Sequence, residues 1–368
     1  MTQPIKCKFH STSQFRNVVK YHQEAAKYKG LDLEGVPIIN PLGTAPKITY
    51  IGTTKLHGTN ASIVLGEDGV ISFHSKNNLL GFMIGDKFTL LADNSEFAQS
   101  MSRRFSEVQS ILKKAKESAV KLSGEVKYPL KISGEWCGEG IQKSVGVSYL
   151  KQKTFFIFGI KNGETDQKDK NGWLPINSVD NLTDPVANMS GFYSITDFPT
   201  KEITIDFQNP ELSQNYLVEA TSEVETTCPV ATTLSIKDEE GTLQQLGEGL
   251  VWTPKDNSLC WDSGTWFKTK GEKHSVAKTK SVASIAPEEL NSIKEFVEYA
   301  VTNNRLQQGL SEVGKNEKLI GTFIGWVNKD INKEEGDVIE KSGLTMKKLG
   351  KYLANASRTW YINELNKY

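Results

Sequence analysis

The stretch Lys55-Leu56-His57-Gly58-Thr59-Asn60 places a lysine nucleophile one turn from a glycine, between two strand-like runs. Residues 48–53 predict the strand before it, and residues 61–65 and 70–74 predict a hairpin after it. Lys55 therefore lies in a connection between strands, an arrangement that suggests covalent transfer of a nucleotide through the lysine. A lysine followed three residues later by glycine is, alone, equally typical of a surface turn, so motifs elsewhere in the chain must decide.

A lysine amine attacks only when deprotonated, and its unperturbed pKa is about 10.4. A catalytic lysine therefore needs neighbouring cations or a dry pocket. The stretch Trp266-Phe267-Lys268-Thr269-Lys270 alternates aromatic and basic residues, so a strand here puts Lys268 and Lys270 on one face. We expect these two ammonium groups to lie beside Lys55, to lower its pKa and to hold phosphate oxygens.

Carboxylate, basic and aromatic side chains accompany three further predicted strands. Residues 132–138 carry Glu135, the apolar residues 155–160 carry Phe158, and Glu248 begins a strand at residues 248–252. The pair Ser75-Lys76 follows the predicted hairpin. Together these groups could bind the phosphates, the sugar and the base of a nucleotide.

The order and spacing of these segments resemble the covalent nucleotidyltransferases, and their details resemble the phage RNA ligase 2 family of ATP-dependent RNA ligases. His57 and the Thr59-Asn60 pair favour RNA ligase, since DNA ligases and capping enzymes usually carry aspartate at the position of His57. The resemblance begins near Lys8, is thin between residues 161 and 246, and resumes at residues 302–314.

This resemblance implies which residues perform the chemistry. Lys55 would take AMP from ATP, and Gly58 would permit the close turn around it. His57 would act near the leaving pyrophosphate, with a structural hydrogen-bonding role as the alternative. Lys268 and Lys270 would grip the α-phosphate.

The resemblance also implies nucleotide and metal contacts for other motif residues. The implied contacts are Lys76 with ribose or phosphate, Glu135 with the ribose hydroxyls, Phe158 stacked on adenine, Asn60 with the acceptor phosphate or the nucleotide, and Glu248 with a divalent metal. Gly159 departs from the family pattern, because an aspartate commonly follows the stacking aromatic. This departure puts one supporting contact in doubt.

The resemblance and the periodicity together predict an α+β protein. Residues 1–282 are expected to form a nucleotidyltransferase domain, similar to ATP-grasp ligases, on antiparallel sheets with flanking helices. Apolar residues at helical spacing between 97 and 115 predict one amphipathic helix against a sheet. Residues 283–368 are expected to form a small all-α domain, with helices starting at Pro287 and covering residues 318–328 and 345–363.

Composition limits the partners and the compartment. The 368 residues include 44 basic and 44 acidic side chains, so RNA binding must rely on local patches such as residues 268–280. The four cysteines have no metal-ligand spacing, which argues against structural zinc and fits a reducing compartment. Without a membrane-spanning run or a signal-peptide core, we expect the protein in the cytoplasm, or in the host cytoplasm if the gene is phage-encoded. We also expect a monomer.

The implied reaction is the joining of RNA ends that carry a 5′-phosphate and a 3′-hydroxyl, preferably at a nick in a duplex. ATP and Mg²⁺, with Mn²⁺ as a substitute, are the implied cofactors. An ATP-dependent DNA ligase or a capping guanylyltransferase is one alternative, although both normally append a small β-barrel where this chain predicts helices. A binding protein that keeps the nucleotide pocket without turnover is the other.

Overall fold

The computed structural model describes residues 7–32, 34, 37–39, 43–163, 171–183, 191–260, 262–274, 293–365 and 367. The chain divides into two compact units, Met1–Thr269 and Lys270–Tyr368, called unit 1 and unit 2 below. The domain boundary predicted between residues 282 and 283, and the helix start predicted at Pro287, lie outside the described residues. Among the helices of the described ranges, none combines the length and the apolar character that crossing a bilayer requires.

Unit 1 contains a five-stranded sheet, called sheet 1. Its strand order is β1 (Ser13–Gln14), β14 (Phe267–Lys270), β13 (Gly249–Pro254), β4 (Lys47–Lys55) and β12 (Lys201–Asp206). Strand β4 lies in the middle and pairs antiparallel with β12 and β13. It covers the strand predicted at residues 48–53 and ends at the motif lysine.

A seven-stranded sheet, called sheet 2, forms the other half of unit 1. Its strand order is β11 (Phe192–Ser194), β10 (Thr154–Asn162), β9 (Leu130–Cys137), β5 (Thr59–Leu65), β6 (Ile71–Ser75), β7 (Leu79–Ile84) and β8 (Lys87–Leu90). The predicted hairpin is β5 with β6. A separate antiparallel pair joins β2 (Tyr28–Leu31) and β3 (Pro37–Ile39).

The sequence predicted antiparallel sheets, but both sheets also contain a parallel pair of strands. Strand β1 pairs parallel with β14, and β11 pairs parallel with β10. A parallel neighbour needs a long crossover instead of a tight turn, and both parallel pairs are joined by long stretches of chain. Periodicity within a strand carries no information about such distant pairing, which is why the prediction missed them.

The helices of unit 1 cover the sheets. They are α1 (Phe15–Lys27), α2 (Phe97–Arg103), α3 (Phe105–Ser123), α4 (Gln214–Thr226), α5 (Pro229–Thr233) and α6 (Asn257–Cys260). The single helix predicted over residues 97–115 is two helices, because the backbone of Arg104 leaves the helical conformation at φ −114° and ψ 38°. The guanidinium carbon of Arg104 instead lies 4.2 Å from the centroid of the Phe192 ring on sheet 2.

The main hydrophobic core lies between sheet 2 and helices α2 and α3. Phe97 of α2 packs against Trp136 and Phe155, with ring centroids 5.5 Å and 5.0 Å apart. Helix α3 buries Val108, Ile111, Leu112 and Ala115, which confirms the core-packing role expected from their spacing. Burying each large apolar side chain contributes about 2 kcal/mol, so the packing of α2 and α3 stabilises this face of sheet 2.

The described part of unit 2 after residue 292 is helical. Its helices are α7 (Ile293–Ala300), α8 (Asn303–Val313), α9 (Ile320–Glu334), α10 (Gly336–Lys341) and α11 (Met346–Leu365). Helix α8 begins where the Thr302 hydroxyl accepts a hydrogen bond from the backbone N–H of Arg305, and it ends before Gly314, whose φ is 94°. A separate core of buried residues, including Phe323 and Leu353, holds these helices together.

Candidate active site

The motif around Lys55 connects the two sheets of unit 1. Strand β4 of sheet 1 ends at Lys55, and strand β5 of sheet 2 begins at Thr59. Strand β13 pairs with β4 so that Gly249 lies opposite Lys55, which brings Glu248 beside the lysine. Strand β9 pairs with β5 so that Glu135 lies opposite Asn60. Two carboxylates that are far away in sequence therefore meet at the motif.

A short ion pair forms the centre of this site. The Nζ atom of Lys55 lies 2.6 Å from Oε2 of Glu248, whose side chain is only 1% exposed. Nδ1 of His57 lies 3.3 Å from the same carboxylate oxygen. Hydrogen bonds between ionised partners are shorter and stronger than neutral ones, so this buried carboxylate holds Lys55 firmly in place.

The pKa of Lys55 is raised. Burial acts to lower this pKa, but the nearby carboxylates of Glu248 and then Glu135 outweigh burial and favour the charged amine. The prediction that the pKa of Lys55 is lowered is therefore wrong, because the shift is upward. The sequence pattern did not indicate that carboxylates would dominate the surroundings of the amine.

Glu135 is the second carboxylate of the site. Its Oε1 atom accepts a hydrogen bond of 3.1 Å from the backbone N–H of Gly58. Burial raises the pKa of Glu135 to about 7, and Glu248 adds to the rise, while Lys55 and the Gly58 N–H oppose it. This carboxyl group therefore titrates close to neutral pH.

Gly58 is required because β9 approaches the loop closely. A Cβ atom at this position would lie 2.6 Å from Sγ of Cys137 and would also collide with the carbonyl oxygen of Trp136. The φ angle of Gly58 is not among the positive ones, so lack of space, not backbone conformation, excludes a side chain. Contact with β9 explains why a glycine follows the lysine at this spacing.

The other predicted site residues lie on elements that border this centre. Lys268 and Lys270 alternate along β14 with the buried Phe267 and Thr269, so they share a face as predicted. The division between the two units falls inside this strand, after Thr269. The Oδ1 atom of Asn60 is buried and has no hydrogen-bond partner among the described residues. An unsatisfied buried acceptor is costly, and a bound ligand or an ordered water would satisfy it.

Phe158 and Lys76 both contact residues near the N-terminus. The Phe158 ring meets the Phe9 ring edge-on, with centroids 5.5 Å apart. Phe158 sits at an irregularity of β10, where the register with β9 shifts between Ile157 and Gly159. Nζ of Lys76 donates a hydrogen bond of 3.2 Å to the hydroxyl of Ser11.

Sequence reasoning missed the side chain that explains Gly159. A Cβ atom at Gly159 would lie 2.9 Å from a ring carbon of Trp173, so this tryptophan fills the space next to the glycine. The Trp173 ring in turn lies 5.1 Å from that of Trp266. No local pattern links these residues, because their contacts join distant parts of the chain.

Fold and site together define a protein in which a lysine amine is held by a buried carboxylate where two β-sheets meet. Residues 48–270 match the family model described as RNA ligase. This match covers more than half of the chain and includes every predicted site residue from Lys55 to Lys270. The chain belongs to the RNA ligase family.

Solved structures similar to this chain include three of Naegleria gruberi RNA ligase. A mutant with ATP and Mn is 13% identical, with a TM-score of 0.42 over 73% of this chain and 57% of that chain. A mutant with AMP and Mn is 14% identical, with a TM-score of 0.40 over 73% and 57%. The ligase with PPi is 14% identical, with a TM-score of 0.39 over 74% and 59%.

The chain thus spans less than two thirds of the length of these Naegleria proteins. Family membership rests on the sequence match, because the structural similarity is low. Among curated protein sequences, none matches the chain significantly.

Proposed function

We propose that this protein is an ATP-dependent RNA ligase of the phage RNA ligase 2 type. It would seal RNA ends carrying a 5′-phosphate and a 3′-hydroxyl through a covalent lysyl-AMP intermediate. The observation that carries the proposal is the 2.6 Å pair between Lys55 and the buried Glu248, inside the segment that matches the RNA ligase family. A half-buried lysine held by a buried carboxylate is a positioned nucleophile, unlike the mobile lysine of a surface turn.

The reaction consists of three transfers at phosphorus. In the first, Nζ of Lys55 attacks the α-phosphorus of ATP, an N–P bond forms, and the bond to the leaving pyrophosphate breaks. In the second, a 5′-phosphate oxygen of RNA displaces the lysine and takes the AMP. In the third, a 3′-hydroxyl attacks this activated phosphate, and AMP leaves as the strand is sealed.

The amine of Lys55 must lose a proton before the first transfer. In the resting protein the carboxylates favour the protonated form, so the hold of Glu248 on Lys55 must weaken when nucleotide binds. His57, which contacts the same Glu248 oxygen, would hold that carboxylate while the pair with Lys55 opens. We assign His57 two roles: it holds the Glu248 carboxylate, and it acts near the departing pyrophosphate.

A divalent cation would be held by Glu248. Mg²⁺ usually keeps several waters and uses one or two carboxylates together with substrate phosphates. The described residues contain no group of three or more histidine, cysteine, aspartate or glutamate side chains that forms a metal site. The buried Glu248 therefore fits a cation shared with the triphosphate, and Mg²⁺ or Mn²⁺ there would neutralise phosphate charge.

The remaining site residues would bind the nucleotide. The proposed contacts are Glu135 with the ribose, Lys76 with the ribose or a phosphate, Phe158 with adenine, Asn60 with the nucleotide or acceptor phosphate, and Lys268 and Lys270 with the α-phosphate. The unpartnered Oδ1 of Asn60 supports this assignment, since a bound ligand would satisfy it. The RNA partner would be a nicked duplex, bound by a monomer with help from the helices of unit 2.

Labelling with ATP tests the proposal. The protein is incubated with Mg²⁺ and either α-labelled ATP or α-labelled GTP, then resolved by denaturing electrophoresis. We expect label from ATP alone, and its release when a nicked RNA duplex is added and joined. Label from GTP would indicate capping chemistry, and the absence of covalent label would favour a nucleotide-binding protein.

Two lysines on the same strand provide the matched variants. Lys55→Ala should abolish labelling, because no other nucleophile replaces the amine. Lys47→Ala, at the exposed start of β4 where Lys47 pairs with Asp206 at 3.2 Å, should label normally. Normal RNA joining by Lys55→Ala would refute the covalent mechanism.

A further inference from the structure

The ring of Phe158 is part of an aromatic cluster to which the N-terminal part of the chain contributes. Phe9 lies 5.5 Å from Phe158 and 5.7 Å from Trp173, in both cases nearly perpendicular to the partner ring. Such edge-to-face contacts are favourable beyond the area that they bury. Phe9 is therefore a fixed neighbour of the residue to which base stacking is assigned.

Three hydrogen bonds fasten residues 8–11, called here the N-terminal strap, to sheet 2. The backbone N–H of Phe9 donates to the carbonyl oxygen of Lys76 at 2.9 Å. Nζ of Lys131 donates to the carbonyl oxygen of Lys8 at 2.8 Å, and Nζ of Lys76 donates to Ser11 at 3.2 Å. The strap is thus fixed on both sides of Phe9.

Lys131 is an unusual anchor because it is a lysine with only 1% of its surface exposed. Its Nζ atom lies 5.5 Å from the centroid of the Phe9 ring and 5.9 Å from that of Trp173. A cation near aromatic faces is attracted to them, and the attraction grows when water is excluded. Lys131 therefore fixes both the backbone before Phe9 and the ring itself.

The order of residues along β9 indicates that a base stacked on Phe158 would lie between Glu135 and the N-terminal strap. Glu135 and Lys131 lie on the same face of β9, four residues and about 13 Å apart. Phe158 lies between them, since its neighbours Ile157 and Gly159 pair with Gly134 and Ser133. A nucleotide with its ribose at Glu135 and its base at Phe158 therefore points its base toward Phe9.

We propose that Phe9 is a positioning residue for the nucleobase, closing the far end of the base pocket under the control of Lys131. This inference rests on the proposed function, because it requires that Phe158 stacks on adenine. The Phe9 edge would contact the base, and Lys131 would act through Phe9 without touching the nucleotide. The contact between Phe9 and the base contributes to nucleotide binding equally before and during the chemical step. It therefore affects KM and not the maximal rate.

Charging kinetics of the full-length chain test this role. The rate of lysyl-AMP formation is measured against ATP concentration for the wild type and for Phe9→Ala. We expect KM for ATP to rise about fivefold to tenfold with an unchanged maximal rate, the size expected for one aromatic contact. Phe9→Tyr, which keeps the ring, should restore the wild-type KM, and Tyr28→Ala, at an exposed aromatic of β2, should not change it.

A second variant tests the anchor. Lys131→Met keeps most of the length of the side chain but loses the charge, so KM should rise, as it does for Phe9→Ala. The double variant should be no worse than Phe9→Ala alone, because both changes remove one shared contact. If thermal unfolding shows that Phe9→Ala does not fold, Phe9→Leu replaces it and should also raise KM.

Three results would overturn the inference while the wild type still forms lysyl-AMP. The first is a KM of Phe9→Ala within about twofold of the wild type. The second is a lower KM in Phe9→Ala, which would mean that the strap obstructs the pocket. The third is a reduced maximal rate of Phe9→Ala at unchanged KM. A wild-type protein that forms no lysyl-AMP would instead refute the proposed function. The two failures are therefore distinguishable.

Discussion

Oε2 of Glu248 lies 2.6 Å from Nζ of Lys55, and this short contact joins a buried carboxylate to the proposed nucleophile. The contact exists because β13 and β4 pair in a register that sets Gly249 opposite Lys55. It raises the pKa of Lys55 despite burial, so the resting lysine is protonated. The pair therefore positions the amine and at the same time keeps it from reacting.

Replacing Glu248 with glutamine should change the pH dependence of charging. In the wild type, the rate of AMP attachment should rise with pH as Lys55 loses its proton at a raised pKa. Glu248→Gln removes the negative charge that favours the ammonium form, so the rising part of the profile should shift to lower pH. The plateau should fall at least tenfold, as expected when an electrostatic contact of the reacting centre is lost.

Single-turnover charging from neutral to alkaline pH measures this effect. Glu202→Gln is the control, because Glu202 forms an exposed pair with Lys255 at 2.8 Å on the same sheet. Its profile should match the wild type. A rising limb that stays in place in Glu248→Gln would contradict the assigned cause of the Lys55 pKa.

Glu135 should make the stability of the protein decrease as pH rises toward neutrality. Its pKa is raised from 4.5 to about 7, so between these values the folded protein binds a proton that the unfolded chain releases. The contribution of Glu135 to the free energy of unfolding is complete below pH 4.5 and is lost as the pH rises through about 7. Glu135→Gln should lack this loss and should be more stable than the wild type above pH 7 by about 3 kcal/mol.

Urea unfolding at acidic and at mildly alkaline pH measures the difference. Glu139→Gln is a matched control on the loop after β9, because the Glu139 side chain is 65% exposed. The control should follow the wild-type dependence on pH. Equal pH dependence in Glu135→Gln and the wild type would show that Glu135 does not titrate near neutrality.

Gly58→Ala should prevent charging. The added methyl group would collide with the Trp136 carbonyl oxygen and with Sγ of Cys137, so the loop that carries Lys55 must move. We expect a loss of AMP attachment of at least a hundredfold, since small displacements of reacting groups cost rate steeply. Overpacking should also lower the free energy of unfolding by about 1–3 kcal/mol.

Gly325→Ala is the control for this glycine substitution. Gly325 lies in α9, and a Cβ there meets no atom within 4 Å. Because alanine favours helix over glycine, this control should be stabilised by about 0.5–1 kcal/mol and should charge normally. Normal charging by Gly58→Ala would mean that the close contact with β9 is not needed.

Arg305→Met should destabilise unit 2 selectively. The buried guanidinium contacts Asp330 at 2.8 Å and Glu335 at 3.1 Å, and it also donates to the Ala300 carbonyl oxygen. Methionine would leave the Glu335 carboxylate buried without its cation, which costs about 3–5 kcal/mol. We expect a lower melting temperature for unit 2, normal AMP attachment and impaired sealing of nicked RNA.

Calorimetry and the two activity assays measure these effects. Arg358→Met, on the exposed side of α11, is the matched control and should change neither the melting temperature nor AMP attachment. Loss of AMP attachment in Arg305→Met would show that the helices of unit 2 are needed for charging. Unchanged sealing at a temperature where unit 2 is unfolded would remove its proposed role in holding RNA.

Local periodicity predicted most of the elements that carry the site. The strand expected at residues 48–53 is β4, those at 132–138 and 155–160 are β9 and β10, and the alternation after Trp266 is β14. These predictions succeed because the alternation of buried and exposed side chains is a property of each strand alone. The helix expected over residues 97–115 was only partly right, because Arg104 leaves the helix at a point that no proline or glycine marks.

The sequence by itself determined the lysine motif and the strands that carry its partners, whereas the close approach of β9 is what requires glycine at position 58. Only the tertiary structure decided that the carboxylates of Glu248 and Glu135 outweigh burial and raise the pKa of Lys55. It also decided that Trp173 fills the space at Gly159 and that Phe9 meets Phe158. Strand register and long-range packing create these contacts, and a pKa depends on the nearest charges and on burial, which local patterns do not encode.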